Sequence, residues 1–116
     1  MSGCGPIEPY MPPKLFKALG DPRRITLLSY LCGCQGPCRV SDLAEVAGID
    51  VSVVSRHLAM LRDAEILDAE RRGNEVLYSV RYGELAQTLR AMADAIEACC
   101  PREIIKAAEV AAGEKG

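Results

Sequence analysis

The side chains best suited to chemistry in this sequence are its six cysteines, Cys4, Cys32, Cys34, Cys38, Cys99 and Cys100. Cys34-x₃-Cys38 and the adjacent pair Cys99-Cys100 are clustered more tightly than packing alone requires. Thiolates select soft ions: trivalent arsenic or antimony, mercury, cadmium or Cu(I). They also serve as redox switches, and a buried free Cys acts as a small hydrophobe. Arg39 beside Cys38 is expected to lower its pKa and raise its reactivity. The single histidine is His57, so a nitrogen-rich site is excluded. A closed zinc site wants about four ligands, usually as two Cys-x₂₋₄-Cys arms. Cys34-x₃-Cys38 is one such arm, and Cys99-Cys100 is a poor second. Trivalent arsenic needs only about three thiolates and tolerates ligands supplied by loops. Neighbouring cysteines on a helix point about 100° apart, so they clasp one ion only where the helix frays. Pro101, directly after Cys100, disfavours the α conformation there. Thiol oxidoreductases prefer Cys-x-x-Cys in a βαβ setting, which is missing, as are Ser/His/Asp and paired-carboxylate arrangements. No catalytic residue and no enzymatic activity are expected.

The compartment decides how the thiols are read. Met-Ser-Gly-Cys-Gly-Pro at the start has neither the basic nor the apolar region of a signal peptide. No apolar run approaches the roughly 18 residues that span a bilayer. A cytoplasmic chain with reduced thiols, no membrane partner and no disulfide framework is therefore expected. With 116 residues there is room for one ordinary domain. Aromatic residues are only 4%, which argues against an aromatic ligand cage. The net charge of −2 means that any nucleic-acid-binding face is local.

Periodicity supplies the elements. Residues 1–13 read as a flexible N-terminal tail rich in proline (Pro6, Pro9, Pro12, Pro13). A short helix starts at Lys14, with Leu15, Phe16 and Leu19 on one face. Asp21 caps a second helix and Pro22 opens it; Ile25, Leu28 and Cys32 form its stripe, with Leu27 and Leu31 beside them. Cys34-Gln-Gly-Pro-Cys38 is a loop. Ser41 is expected to cap a third helix with an apolar face of Leu43, Val46 and Ala47, closed by Gly48. A tight turn leads to a fourth helix, Val51 to Ala64, with Val51, Val54, Leu58 and Leu61 in phase. Two short helices joined by a Gly-containing turn are the helix-turn-helix signature. Strands at 66–71 and 76–80 flank the turn Arg72-Gly73-Asn74-Glu75, a hairpin wing. Leu85, Leu89, Met92, Ile96 and Cys99 then form a heptad-like stripe suited to packing on a partner. Pro101 kinks or restarts that helix, leaving an amphipathic stretch to about Ala112. The fold class is mainly α with a small β-hairpin: a dimeric winged helix-turn-helix, residues 14–81 binding DNA and 82–116 supplying the dimerisation helix and tail.

A recognition helix projects short polar or basic side chains into the major groove. Ser52, Val53, Ser55 and Arg56 lie off the apolar stripe, with Arg62 and partly His57. No acid occurs from Val51 to Arg62 in a chain where acids outnumber bases. That local cation excess suits phosphate. Arg71, Arg72 and Asn74 stand at the hairpin tip, and Arg39 and Ser41 near the third helix's start. DNA binding needs no cofactor on this reading.

Three blocks carry a resemblance: Leu15 to Ile25 (Leu-Phe-Lys-Ala-Leu-Gly-Asp-Pro-Arg-Arg-Ile), Val54 to Arg62 (Val-Ser-Arg-His-Leu-Ala-Met-Leu-Arg) and Arg72 to Tyr78 (Arg-Gly-Asn-Glu-Val-Leu-Tyr). In this order and spacing, over roughly Lys14 to Ile96, the chain resembles the ArsR/SmtB family of winged-helix repressors. The resemblance implies a homodimer on a palindromic double-stranded operator, released by an inducer. The family's C-terminal zinc site falls near Tyr82, Glu84, Ala95 and Ala98 and looks absent. Its Cys-x-Cys at the third helix falls near Cys38-Arg39-Val40-Ser41, where only one thiol stands. Cys99-Cys100 resembles the vicinal pair of some arsenic-responsive members. It is the expected metal site, with Cys4, Cys34 or Cys38 as candidate third ligand and As(III), Sb(III) or another soft ion as inducer. A redox- or persulfide-responsive repressor, linking the second-helix region to Cys99 or Cys100, stays open beside it.

Overall fold

The computed structural model describes residues 6–99, so Cys4, Cys100, Pro101 and the amphipathic stretch expected to Ala112 lie outside the described residues. A 3-10 turn (Glu8–Tyr10) precedes α1 (Pro13–Leu19), α2 (Pro22–Gly33), β1 (Cys38–Arg39), α3 (Val40–Ala47), α4 (Val51–Asp63), β2 (Leu67–Arg72), β3 (Glu75–Val80) and α5 (Tyr82–Cys99). The chain forms two compact units. One runs from Pro12 to Ala86; the other joins, among the described residues, 6–11 to 87–99. The fold is mostly helical with a small three-stranded antiparallel sheet, order β1-β3-β2.

In the first unit α4 is central, packing against α1, α2, α3 and β2. Leu27, Leu31, Val54, Leu58, Leu61, Ile66 and Leu67 are fully buried. Each such side chain contributes about 1.5–3 kcal/mol of burial. Asp50 caps α4 by accepting the Ser52 N–H at 3.2 Å, and Asp21 caps α2 through the Arg23 N–H at 2.8 Å. Gly48, at φ 68°, ends α3: its N–H reaches the Glu45 carbonyl and that of Ile49 the Ala44 carbonyl. That is a Schellman closure, which glycine adopts without steric penalty. Glu65 makes the same closure after α4 at φ 64°, with its N–H on Arg62 and that of Ile66 on Leu61. Arg81 then ties the end of β3 to Glu65, Asp68 and Glu84.

Several expectations need correction. The turn is shorter than Arg72 to Glu75: those residues pair, leaving Gly73-Asn74, with Gly73 at φ 62° as a type II′ hairpin requires. A third strand, β1, extends the sheet through Cys38↔Tyr78 and Arg39↔Leu77. It moves the cap of α3 from Ser41 to Arg39, which makes no side-chain capping bond. Ala44 replaces Val46 beside Leu43 in the core, and Ala18 replaces Phe16 beside Leu15. The buried stripe of α2 is Arg24, Leu27 and Leu31, leaving Ile25 and Cys32 exposed. The phase of α2 is set by Arg24, only 8% exposed. Its Nε donates to the Ala18 carbonyl at 2.7 Å and Nη2 to that of Lys17 at 2.9 Å. Carbonyls in the last turn of α1 have acceptor capacity to spare: that of Lys17 takes only the Gly20 N–H at 3.3 Å, and a guanidinium carries enough donors to serve both.

In the second unit Pro6, Ile7, Pro9 and Tyr10 line a cavity of about 570 Å³ with Ala91, Asp94, Ala95 and Ala98 of α5. Pro9 fits the 3-10 turn because an N–H there has no partner to lose. Along α5, Met92 is buried while Leu89, Ile96 and Cys99 stay exposed.

Arg24→Ala is expected to cost about 2–4 kcal/mol, because it strands the buried Ala18 carbonyl and removes the bonds to Lys17 and His57. An unfolding free energy from urea denaturation within about 0.5 kcal/mol of wild type would exclude the bracing role. The Ser52 hydroxyl, then its N–H, holds the Asp50 carboxyl below the usual carboxylate range. Its contribution is full above the unfolded pKa of about 3.9 and is lost as pH falls through the lower folded value. Wild type should therefore melt above Asp50→Asn near neutrality, and the gap should narrow below about pH 4.

Candidate nucleic-acid interface

The first half of α4, the start of α3 and the tip of the β2–β3 wing converge on one face. Arg39, Val40, Ser41, Val51, Ser55, Asn74, Glu75 and Val76 line an open notch of about 280 Å³ there. Ser52 and Arg56 are exposed beside it; Val53 and Ser55 are half-buried. Among the described residues Arg56 and Arg71 have no ion-pair partner. The face thus offers hydroxyl, amide and guanidinium donors at the spacing of one helix turn, chemistry that suits phosphate oxygens and base edges.

The cations are unequal. Arg39 Nε lies 3.1 Å from Glu75 Oε1 across the notch. Arg72 lies along its own strand on Glu70, Nε to Oε2 at 2.9 Å and Nη2 to Oε1 at 3.3 Å. The Glu70 hydrogen bonds raise the Arg72 pKa above its ordinary value. Arg62, at the far end of α4, is 3.6 Å from Asp63. Glu70 and Glu75 are residues that sequence reasoning missed. Glu70 and Arg72 sit two apart on one strand face, a legible signal; Arg39 and Glu75 meet only because β1 pairs with β3.

For His57 two readings stand side by side, a partly buried structural residue and a base reader, and its surroundings are those of the first. It is half-buried, with Nδ1 3.2 Å from Arg24 Nη1. Arginine only donates, so Nδ1 is the acceptor in this pair. Arg24 Nη1 also reaches Met60 Sδ at 3.3 Å. One buried cation therefore orients the outward face of α4 from behind.

Cys32 is exposed at the end of α2, its carbonyl accepting the Tyr82 hydroxyl at 3.4 Å. Cys34 and Cys38 are joined in a disulfide. This corrects the expectation of a fully reduced chain with either residue on hand as a third ligand: bridged sulfurs carry no thiolate. Arg39, engaged with Glu75, also departs from its expected role beside Cys38. Cys99 is exposed at the end of α5, in the other unit. Among the described residues no three His, Cys, Asp or Glu gather as a metal site. Nor is any described helix long and apolar enough to cross a membrane.

A family model described as bacterial regulatory protein, arsR family, matches residues 21–69. The chain is 33% identical over 85 residues to the arsenical resistance operon repressor of Bacillus subtilis, across 73% of this chain and 75% of that protein. It is 35% identical over 95 residues to a probable mercury resistance operon repressor of Streptomyces lividans, covering 77% and 74%. A solved homodimeric winged helix-turn-helix domain from Mycobacterium bovis, a possible ArsR-family transcriptional regulator, superposes with TM-score 0.57 at 26% identity, covering 72% of this chain and 75% of that one.

The Arg39–Glu75 pair is solvent-exposed at both ends, so Glu75→Gln should change stability by no more than about 1 kcal/mol in thermal denaturation. A larger loss would show that the pair holds the wing in place.

Proposed function

Because this chain belongs to the ArsR family of bacterial regulators, and is a DNA-binding regulator rather than an enzyme, we propose that it is a homodimeric repressor that grips a palindromic operator and releases it when a thiophilic ion binds its cysteines. The observation that carries this reading is the convergence of α3, the acid-free half of α4 and the wing tip on one donor-lined notch. Ser52, Val53, Ser55 and Arg56 read the major groove; Arg39 and Ser41 hold phosphate at the start of α3. Arg71, Arg72 and Asn74 meet backbone or minor groove. His57 acts from behind, through Arg24. Exposed Leu89 and Ile96 on α5 support that helix as the dimer face, since large apolar side chains in phase gain by mutual burial.

The inducer site is Cys99-Cys100, with Cys4, or Cys34 or Cys38 once reduced, as third ligand. An all-thiolate donor set fits As(III) or Sb(III) best and other soft ions next. The named arsenical and mercury repressors among the relatives support that class. By linkage the ion must bind the low-affinity dimer more tightly than the DNA-bound one. Moving the two α4 helices off a half-site spacing of about 34–36 Å accomplishes the release. The redox alternative linking the α2 region to Cys99 or Cys100 would run through Cys32, which is exposed at the end of α2 and outside the Cys34–Cys38 disulfide.

Fluorescence anisotropy of reduced protein on its own upstream DNA, without oxygen, tests both halves. Arsenite at about stoichiometric amounts should release the DNA, and Cys99→Ser or Cys100→Ser should abolish release while binding persists. An unchanged response in both variants excludes that pair, and release by persulfide alone would favour the redox reading. Arg56→Ala should weaken operator binding by about 1–3 kcal/mol. Full affinity in that variant would remove α4 as the reading element.

A further inference from the structure

We propose that Cys34 and Cys38 form a self-contained dithiol–disulfide site, closed by a hydroperoxide-class oxidant, whose closure fixes Arg39 at the DNA-facing notch. Cys34 caps the C-terminal end of α2 and Cys38 opens β1, with only Gln35-Gly36-Pro37 between them. Their sulfurs are bonded and their Cα atoms lie 6.8 Å apart. Both residues are half-buried, so a small oxidant reaches them. In the bonded state the Tyr30 carbonyl lies 3.5 Å from Cys34 Sγ and the Gly36 carbonyl 3.8 Å from Cys38 Sγ, so a carbonyl oxygen stands near each sulfur that reduction would protonate.

The chemistry balances without a metal. One thiolate attacks the peroxide oxygen, breaking the O–O bond, releasing an alcohol or water and becoming a sulfenic acid. The second thiol attacks that sulfur and expels water. Two thiols and one hydroperoxide thus yield one disulfide, one alcohol and one water. A small-molecule dithiol reverses the step by exchange, itself becoming the disulfide.

Closure acts on binding through Arg39, the residue next to Cys38. β1 consists only of Cys38 and Arg39, paired with Tyr78 and Leu77 of the wing. So short a ladder holds little by itself. Arg39 precedes α3 without a side-chain capping bond, and its guanidinium lies on Glu75 at the notch. The disulfide staples β1 to α2, whose Arg24, Leu27 and Leu31 are set in the core. Opening it leaves the short ladder and one exposed ion pair, a contact of small worth, to hold Arg39. The oxidised form therefore presents Arg39 to phosphate in a fixed position, and the reduced form does not.

The test compares wild type and Cys34→Ser/Cys38→Ser, each with dithiothreitol or with hydrogen peroxide, the bridge being verified by mass spectrometry. In wild type, closure should slow amide exchange at Arg39 and Val40 about tenfold. It should also tighten binding to the upstream DNA about three- to tenfold and steepen the salt dependence by about 0.9 per subunit, one phosphate contact each. The double variant should keep the reduced values under both conditions. A variant that responds to peroxide as wild type does would overturn the proposal, as would a bridged wild type with unchanged exchange at 39–40. The DNA readout rests on the operator-binding reading, whereas the exchange readout does not. If neither form binds DNA, that reading fails and exchange alone decides the switch.

Discussion

The guanidinium of Arg24 is the constraint on which the helical arrangement depends. A buried cation is costly unless its donors are matched. Here they reach the carbonyls of Lys17 and Ala18, the ring of His57 and the sulfur of Met60, with the Asp21 carboxylate 3.7 Å away. Those groups belong to α1, the α2 cap and α4, so one planar fork sets three segments in register. Leucine burial supplies more energy, but it is non-directional. The hydrogen bonds select one rotation of α4, and so decide which of its residues face outward.

That rotation explains why an acidic chain presents a usable face for an anionic partner. Several acids cap or brace, Asp50 at the start of α4, Asp21 at the start of α2, and Glu65, Asp68 and Glu84 around Arg81, while Glu75 lines the notch itself. Arg56 and Arg71 remain unpaired among the described residues. Arg39 and Arg72 are held by carboxylates that phosphate would have to replace, at modest cost for exposed pairs. The net charge of −2 is thus no guide to the local field at α4.

Much of the architecture was legible because it rests on local rules. The period of α4, the glycine that ends α3 and the Gly-Asn turn of the wing each declare themselves within a few residues. Misreadings came where two apolar stripes competed. Ile25, Leu28 and Cys32 are about as apolar as Leu27 and Leu31, and the pull of Arg24 toward α1 settles the rotation. Phe16 and Val46 are large and apolar yet stay exposed, and Ala18 and Ala44 are buried in their stead. β1 was missed because a two-residue strand carries no period.

Residue type and spacing along the chain were enough to dictate the winged helix-turn-helix order, the acid-free helix and the presence of clustered thiols. Packing in three dimensions was needed to turn His57 inward, to bring Arg39 to Glu75 and to bond Cys34 to Cys38 rather than leave it as a free ligand. The reason is geometric. Each of those pairings depends on the directions in which side chains leave elements or loop segments whose relative placement is set by packing, and spacing in sequence carries no such direction.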